Sequence, residues 1–445
     1  MANEFSNLLR SAGVVGAGGA GFPTYVKASS KAETVIVNAA ECEPLLHKDV
    51  ELLSRHTEQM LDGLELLMEA VGAAKGIVGL KRKHTSAIKI VEAAAAKRKG
   101  VSVCALDDFY PAGDEYCLVY ETTRRVIPPG GLPLDAGAVV CNVETLFNAA
   151  LAAKTPVTEK YLTVTGEVKN PITLKLPVGT LFSEAIKLAG TEPDQDMAVI
   201  DGGPMMGRIV TDFSEPVTKT TGGLIVLPKK HPLIVRKSEQ RPVFSKIGRS
   251  ACDQCSFCTQ LCPRYLLGYA IEPHRAMRSL LFNPGDAPMH NEYGLLCCEC
   301  ALCTLYSCPE GLNPKSVCSA SKFDLRAKGV AFKNSSLKGL PHAGPHPLRE
   351  YRKTPVSRLV MRLGLSKYKE KKTAFNESEY KPKMVRLLLS QHVGAPARPV
   401  VKTGDTVSRG AIVADVKREE LGVPVHASIS GVVAEINNRY IEIRA

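Results

Sequence analysis

The chain has 445 residues, of which 44% are hydrophobic and 23% charged, and its formal net charge is +12. This length provides for about three domains, and the composition excludes a disordered or fibrous protein. No run approaches the ~20 apolar residues of a membrane helix, and the first residues lack the basic and apolar regions of a signal peptide. We therefore expect a cytoplasmic protein without direct membrane insertion. Fourteen cysteines, eight of them in a repeated close spacing, indicate a reducing compartment.

The positive charge is concentrated late in the chain. Residues 322–383 contain sixteen Lys or Arg against five Asp or Glu. Basic runs can contact nucleic acid, but no nucleic-acid-binding fold signature accompanies this one. We expect no nucleic-acid partner, since a solvated linker or a docking surface for an acidic partner explains the run better.

Residues 1–156 are expected to form an α/β domain. Helical patterns run from about 50 to 71 and from about 85 to 97. Short apolar runs suited to buried parallel strands surround them, at residues 34–38, 76–80 and 101–106. This alternation of strand and helix predicts a Rossmann-like parallel sheet.

A glycine-rich loop precedes the first strand. Residues 16–24 read Gly-Ala-Gly-Gly-Ala-Gly-Phe-Pro-Thr, and the glycines leave backbone N–H groups open to a phosphate. A dinucleotide fingerprint follows a strand, so this position argues against an ordinary NAD-binding loop. By itself the loop is equally consistent with a tight turn, and the motifs that follow decide between the two.

Four motifs occur in a fixed order along this domain: residues 18–24 with Lys27, then 38–44, 110–115 and 142–145. They read Gly-Gly-Ala-Gly-Phe-Pro-Thr, Asn-Ala-Ala-Glu-Cys-Glu-Pro, Tyr-Pro-Ala-Gly-Asp-Glu and Asn-Val-Glu-Thr. Together they resemble the motifs by which the flavoprotein subunit of respiratory complex I and the C subunit of the Rnf complex bind FMN and NADH.

The resemblance implies a set of cofactor-binding residues at the matching positions: Gly16, Gly18, Gly19, Gly21, Phe22, Lys27, Asn38, Glu41, Glu43, Tyr110, Gly113, Asp114, Glu115, Asn142 and Thr145. Within this set it implies Glu43 and Glu115 as the catalytic residues beside the flavin and nicotinamide. Three positions differ from complex I, where Ala17 is an arginine, Ala40 an acid and Asp114 a glutamate. These differences bear on the affinity for NADH more than on flavin binding.

Residues 157–228 are expected to form a smaller unit. Segments 161–166, 172–176 and 198–201 alternate like strands, and 181–188 has a helical pattern. The phrase Leu-Pro-Val-Gly-Thr-Leu-Phe-Ser-Glu-Ala-Ile, which begins at Leu176, resembles the soluble-ligand-binding β-grasp (SLBB) domain.

Two cysteine runs lie within residues 229–335. The first, at 252–263, reads Cys-x2-Cys-x2-Cys-x3-Cys-Pro, and the second, at 297–309, has one extra residue before its last cysteine. This is the run of bacterial ferredoxins, in which the fourth cysteine ligates the other cluster. The spacing predicts a two-cluster helical domain with one [4Fe–4S] cluster on Cys252, Cys255, Cys258 and Cys308, and the other on Cys262, Cys297, Cys300 and Cys303.

Two alternatives to these ligand sets remain open. Structural zinc uses paired cysteines rather than triplets, which argues against a zinc pair. Cys298 and Cys318 fall outside the pattern, and either could replace a named ligand.

The rest of the chain is expected to comprise a linker and a last domain. Residues 336–382, rich in Pro, Gly, Lys and Arg, predict a basic linker on the surface or partly mobile, with a short amphipathic patch at 356–363. Residues 383–445 resemble the barrel-sandwich hybrid fold of lipoyl and biotinyl domains. The tip that would offer an acceptor lysine reads Ala-Ser-Ile-Ser-Gly at 427–431, so we expect no covalent carrier.

In this order, the four units resemble the cobalamin reductases of propanediol-utilisation microcompartments, the PduS family. The resemblance implies an oxidoreductase that passes electrons from NADH through FMN and two [4Fe–4S] clusters to corrinoid cobalt. It also implies a corrinoid adenosyltransferase and a microcompartment shell protein as partners, and a location within a bacterial microcompartment.

Two other functions are consistent with the residues. One is an Rnf-type C subunit, whose corresponding barrel lies at the N-terminus rather than the C-terminus. The other is a non-catalytic electron relay to a shell protein that does not use NADH, which Ala17 and Ala40 keep open.

Overall fold

The computed structural model describes residues 2–282, 289, 291–340, 342 and 344–445. Within them the chain forms a multidomain α/β protein with the four expected units. No helix in this part of the chain combines the length and apolar character needed to cross a bilayer.

The first unit contains a doubly wound parallel sheet and one further short strand. Its strands are β1 (Thr34–Ala39), β2 (Lys75–Lys81), β3 (Val101–Leu106), β4 (Phe109–Tyr110) and β5 (Ala138–Asn142). Its helices are α1 (Ala2–Ser11), α2 (Thr24–Ala28), α3 (Lys48–Arg55), α4 (Thr57–Val71), α5 (Thr85–Ala95), α6 (Glu115–Thr123) and α7 (Val143–Leu151). The main sheet has the order β3-β2-β1-β5, with all neighbours parallel.

Alternate side chains of β1 enter the cores on the two faces of this sheet. Val35 and Val37 pack against α4 and α7, and Ile36 packs against α6. Helices on both faces explain why the strands are continuous apolar runs. The helix expected from about 50 to 71 is wrong in one respect, since it breaks at His56 into α3 and α4.

The second unit is a mixed sheet covered by one helix. It contains β6 (Glu159–Gly166), β7 (Ile172–Pro177), α8 (Phe182–Leu188), β8 (Met197–Asp201), β9 (Arg208–Val210) and β10 (Gly223–Pro228). The first and last of these strands, β6 and β10, are parallel, and β8 pairs antiparallel with β10.

The third unit is helical and surrounds the cysteine runs. Its helices are α9 (Pro232–Lys237), α10 (Arg241–Ala251), α11 (Phe257–Gln260), α12 (Pro263–Leu266), α13 (Pro273–Ser279) and α14 (Pro314–Ala327).

The segment expected as a surface linker is instead built into three of the units. It contains α15 (Arg349–Arg352), β11 (Thr354–Pro355), α16 (Val356–Arg362), α17 (Ser366–Lys369) and β12 (Ala374–Asn376). Strand β11 pairs with β4 of the first unit, and β12 extends the second sheet beside β7. Leu359 and Tyr368 are buried against the second cysteine run, so the amphipathic patch is stabilised by tertiary packing.

The last unit is a sandwich of two small sheets. Its strands are β13 (Met384–Leu388), β14 (Arg398–Pro399), β15 (Thr406–Val407), β16 (Ile412–Asp415), β17 (Val425–His426), β18 (Gly431–Ile436) and β19 (Tyr440–Arg444). The sheet orders are β13-β19-β18-β15 and β14-β16-β17.

Candidate functional site

Two asparagines mark the ligand-binding edge of the first sheet. Asn38 and Asn142 lie at the carboxyl ends of β1 and β5 and are paired in register. The chain leaves β1 towards β2 on one side and returns as β5 on the other, so this is the topological switch point where open α/β sheets bind ligands. Asn38 Nδ2 donates to Gly113 O at 2.9 Å, which brings the motif at 110–115 to the same edge.

The glycine-rich loop lies over this edge. A Cβ atom on Gly18 would lie 3.3 Å from Cβ of Asn142, whereas one on Gly19, whose φ is 115°, would meet no atom within 4 Å. Thr145 Oγ1 accepts from the backbone N–H of Ala17 at 2.9 Å and fixes the loop to α7. The result is an open, amide-lined cradle beside the switch point, which fits the phosphate end of a flavin nucleotide.

A cation and an acid stand at the rim of the cradle. Lys27 Nζ lies 3.7 Å from Glu115 Oε1, and the two side chains are 25% and 46% exposed. The same ammonium lies 6.0 Å from the ring centroid of Phe22 and donates to Val140 O at 2.7 Å. These three side chains are therefore accessible to a ligand, with the charge on Lys27 suited to an anion.

The structure places Glu43 against the second unit. Its carboxylate accepts from the backbone N–H groups of Met205 at 2.8 Å and Met206 at 3.0 Å. A Cβ on Gly203 would lie 2.1 Å from Glu43 Oε2, so the loop that carries these amides needs glycine there. Burial raises the pKa of Glu43, and burial with the charge of Asp49 raises the pKa of the neighbouring Glu41 to about 8.

Asp114 and Tyr110 connect the first unit, the flavin-type domain, to the cysteine runs. Asp114 caps α6 by accepting from the N–H groups of Tyr116 and Cys117, and its other oxygen pairs with Arg264 at 2.9 Å. The buried hydroxyl of Tyr110 donates to Cys300 O at 2.8 Å. These two contacts join the first unit to the unit that carries the cysteine runs.

Four cysteines from different parts of the chain line one cavity. They are Cys252, Cys255, Cys258 and Cys308, the set expected to hold one cluster. Gln254 Nε2 donates to Cys252 Sγ at 3.0 Å, and Leu312 N donates to Cys308 Sγ at 3.3 Å. Thiols that converge on one cavity and accept hydrogen bonds at sulfur fit an iron–sulfur cluster.

The other four expected ligands also come together. Burial and the charges of Cys297 and Cys262 raise the pKa of Cys303. A hydrogen bond with Cys298, burial and the charges of Cys298, Cys262 and Cys303 raise the pKa of Cys300. Three of the four are buried, and Cys297 is half-buried. This second group lies on the side of the flavin-type domain, since Cys262 packs with Cys117 in one core cluster.

The two cysteine loops have the same backbone conformation at corresponding positions. Gln254 and Ser256, on either side of the middle cysteine of the first run, have φ values of 57° and 63°. Glu299 and Ala301, at the corresponding positions of the second run, both have φ of 60°. Left-handed non-glycine residues are uncommon, so the repeated placement indicates that both loops wrap the same kind of group.

This correspondence bears on the two cysteines outside the pattern. When the two loops are aligned by their left-handed residues, Cys297 corresponds to Cys252 and Cys298 corresponds to Asp253. A hydrogen bond with Cys300 lowers the pKa of Cys298 to about 7, and one with Cys297 helps to raise that of the buried Cys318. The repeat supports Cys297 rather than Cys298 as the ligand, with Cys318 behind it.

The extra residue of the second run is taken up by a π-helical turn, Cys303–Ser307. The first run uses an ordinary short helix, α11, at the same place. A π-helical turn accommodates one additional residue without moving the ends of the segment. Arg236 donates to the carbonyl of Thr304, and Ser307 Oγ donates to Leu302 O at 3.1 Å. Cys308 therefore still reaches the first cavity.

Sequence reasoning missed a buried charged network under the cradle. Lys48 lies 2.5 Å from Asp49 and 3.1 Å from Glu144, and Lys160 also pairs with Glu144. Lys160 donates to Ala17 O at 3.3 Å, and Asn142 Nδ2 donates to Asp49 at 2.8 Å. The only signal in the sequence was the position of Glu144 inside the fourth motif.

Comparison with known families assigns each unit. The Nuo51 FMN-binding domain matches residues 9–151, the SLBB domain 161–209, the 4Fe-4S dicluster domain 251–313 and the RnfC barrel-sandwich hybrid domain 362–444. The expected fold class and the FMN and [4Fe–4S] cofactors are thereby confirmed.

Comparison with characterised proteins covers the whole chain. Cobalamin reductase PduS of Citrobacter freundii is 41% identical over 98% of this chain and 95% of its own length. The protein of the same name from Salmonella typhimurium is 40% identical over 99% and 96%. The C subunit of the Na(+)-translocating ferredoxin:NAD(+) oxidoreductase complex of Acetobacterium woodii is 37% identical, over only 60% and 59%. The chain thus belongs to the PduS cobalamin reductase family and is a flavin and iron–sulfur electron-transfer oxidoreductase.

Proposed function

We propose that this chain is an NADH-dependent reductase of corrinoid cobalt. The observation that carries the proposal is the match to two cobalamin reductases over nearly the full length of both chains. One NADH would reduce two cob(III)alamin molecules to cob(II)alamin, with release of NAD⁺ and one proton.

The side chains around the cradle have defined tasks in this proposal. Bound FMN supplies the exchange between a two-electron hydride and single electrons, which iron–sulfur clusters carry. The open amides near Gly19 and the ammonium of Lys27 bind the flavin phosphate. Phe22 offers an aromatic face to the dinucleotide, and Glu115 lies at the rim where the nicotinamide would enter.

The eight cysteines of the two sites hold the clusters. The first site opens to solvent at Cys255, which is exposed, whereas the second contacts the flavin-type domain through Tyr110 and Cys117. The hydrogen bonds to the sulfurs of Cys252 and Cys308 stabilise the added negative charge of a reduced cluster, and so raise the potential of a cluster bound there.

Further proposals concern partners and location. The resemblance to reductases of propanediol-utilisation microcompartments supports a corrinoid adenosyltransferase as the consumer of the reduced cobalt. It also supports a shell protein as a neighbour and the interior of a microcompartment as the location. Co-purification of this chain with each candidate from cells that express both tests these proposals.

The reaction is tested with protein reconstituted anaerobically with iron, sulfide and FMN. We expect NADH to bleach the flavin absorbance and, on addition of cob(III)alamin, to convert the cobalamin spectrum to that of cob(II)alamin. Rapid ferredoxin reduction without corrinoid turnover would favour the Rnf-type function instead. A flavin that NADH leaves oxidised would favour the electron relay.

Glu115 and Glu43 can be separated by their neutral variants. Because Glu115 stands at the exposed rim, we expect Glu115→Gln to slow flavin reduction by NADH about tenfold or more while FMN stays bound. Stopped-flow absorbance measures the rate, and fluorescence measures the retained FMN. Glu43→Gln should lower the rate too, but with faster proteolysis at the loop of Met205 and Met206, because glutamine has only one oxygen to accept from their two backbone amides. An unchanged rate in Glu115→Gln would contradict its catalytic role.

A further inference from the structure

The glycine-rich loop is held from outside its own domain. Val393 of the C-terminal barrel donates its N–H to Gly21 O at 3.0 Å. A Cβ on Gly21, whose φ is 66°, would lie 2.9 Å from Cγ2 of Thr220 and 3.2 Å from Cα of His392. The end of the loop is thus enclosed by the second unit on one side and the barrel on the other.

Lys219 lies at the centre of this three-domain junction. Its side chain is 3% exposed, and Nζ donates to Gly13 O at 2.9 Å and to Pro424 O at 3.1 Å. Its backbone N–H donates to Gln391 Oε1 at 3.1 Å. One residue of the second unit therefore binds the segment that leads into the glycine-rich loop and two segments of the barrel.

The burial of Lys219 lowers the stability of the folded chain, which indicates that the residue is present for another reason. Both of its Nζ hydrogen bonds end on carbonyl oxygens, and burial without a compensating anion lowers its pKa to about 7. The nearby His392 and His426, whose pKa values are lowered by burial, add no negative charge. A buried amine held by carbonyls alone is poor for stability, so this residue is better explained by the geometry that it imposes.

The position of the barrel is incompatible with the role of lipoyl and biotinyl domains, which carry a covalently attached group on a lysine at their tip. The tip where a carrier domain presents its modified lysine is buried here, with Ala427 and Ser428 at 0% and 1% exposure. Ser428 Oγ donates to Val178 O at 2.5 Å, which fixes the tip against the second unit. A second contact joins the barrel to the first unit, where Arg10 of α1 donates to Arg418 O at 2.8 Å. The barrel is therefore fixed to both the first and the second unit.

We propose that the C-terminal barrel is a fixed clamp on the glycine-rich loop, with Lys219 as its positioning residue. The clamp holds the loop in the conformation in which its open amides receive the flavin phosphate, so that FMN binds a preorganised site. The proposal rests on the FMN site of the proposed function, but it concerns FMN affinity alone.

The test is the Kd for FMN of the flavin-free full-length chain, measured by quenching of flavin fluorescence. Lys219→Ala is expected to raise this Kd about tenfold or more, and added propylammonium should lower it again by filling the space of the lost side chain. Lys230→Ala is the matched control, because that lysine is exposed and eleven positions away, and its Kd should equal that of the wild type. A Kd that Lys219→Ala leaves unchanged, or an increase that propylammonium does not reverse, would overturn the proposal.

A measurement on the unmodified chain guards against a variant that fails to fold. FMN should slow amide hydrogen exchange both in the glycine-rich loop and at residues 391–393 of the barrel, while β14 exchanges as before. Protection confined to the first unit would also overturn the clamp. Because neither experiment contains NADH or a corrinoid, a failure to reduce cobalamin would count against the proposed function and leave this inference standing.

Discussion

Replacement of Cys255 by alanine is expected to reduce the iron content from about eight to about four atoms per chain, since a chain with two [4Fe–4S] clusters loses one of them. Cys255 lines the first cavity together with three other cysteines, and it is the exposed member of that group. The second group of cysteines lies against the flavin-type domain, and it shares no ligand with the first group. We therefore expect its cluster to remain and the FMN content to be unchanged.

Iron and acid-labile sulfide are measured after anaerobic reconstitution, together with the electron paramagnetic resonance spectrum of the reduced protein. The matched control is Cys298→Ala, which removes a thiol next to the other group. Because Cys298 corresponds to Asp253 in the repeated backbone conformation, this variant should keep about eight iron atoms. A loss of iron in Cys298→Ala would make Cys298 a ligand, and zinc in place of iron would contradict both cluster assignments.

The cluster ligands could be predicted because the information is local. Three cysteines at three-residue steps define a loop by themselves, and the proline after the fourth marks where the chain leaves. The extra residue before Cys308 was visible in the sequence, but its accommodation was not. A π-helical turn depends on partners for its carbonyls, and Arg236 lies far from Thr304 along the chain.

The parallel sheet was predictable for the same reason, and the connecting segments were not. Buried strands such as β1 are recognisable as apolar runs bounded by polar ones. Strand β12 has three residues and forms only because β7 offers an open edge. Leu359 is buried by its packing against the second cysteine run. The pattern of a seven-residue helix cannot predict which distant segment covers its apolar face.

The buried charges were the least predictable feature of the site. Lys48, Glu144 and Lys160 come from three separate elements, and each is at most 2% exposed. Sequence reasoning assigns lysine and glutamate to the surface, where most of them lie. Only the fold brings their charges together. The network contacts the candidate flavin site because Lys160 donates to Ala17 O of the glycine-rich loop.

Glu144→Ala is expected to destabilise the chain by about 3–5 kcal/mol at pH 7, because it leaves the ammonium groups of Lys48 and Lys160 buried without their shared partner. It also frees the backbone N–H of Tyr161, which donates to Glu144 at 2.9 Å. Urea unfolding of the cofactor-free full-length chain measures the change in free energy. Glu192→Ala is the control, since its pair with Lys187 is exposed and should contribute less than about 1 kcal/mol.

The dependence of this loss on pH identifies its cause. Burial already lowers the pKa of Lys160 to about 8, below the value of about 10.4 in an unfolded chain. Between these values the unfolded state binds more protons, so the contribution of Lys160 to stability rises with pH. Removal of Glu144 lowers the folded pKa further, because that carboxylate favours the charged amine, and the variant releases the proton at still lower pH. The deficit of Glu144→Ala relative to the wild type should therefore be smaller at pH 9.5 than at pH 7. A deficit that is equal at both values would attribute the loss to the Tyr161 hydrogen bond and packing rather than to unpaired charge.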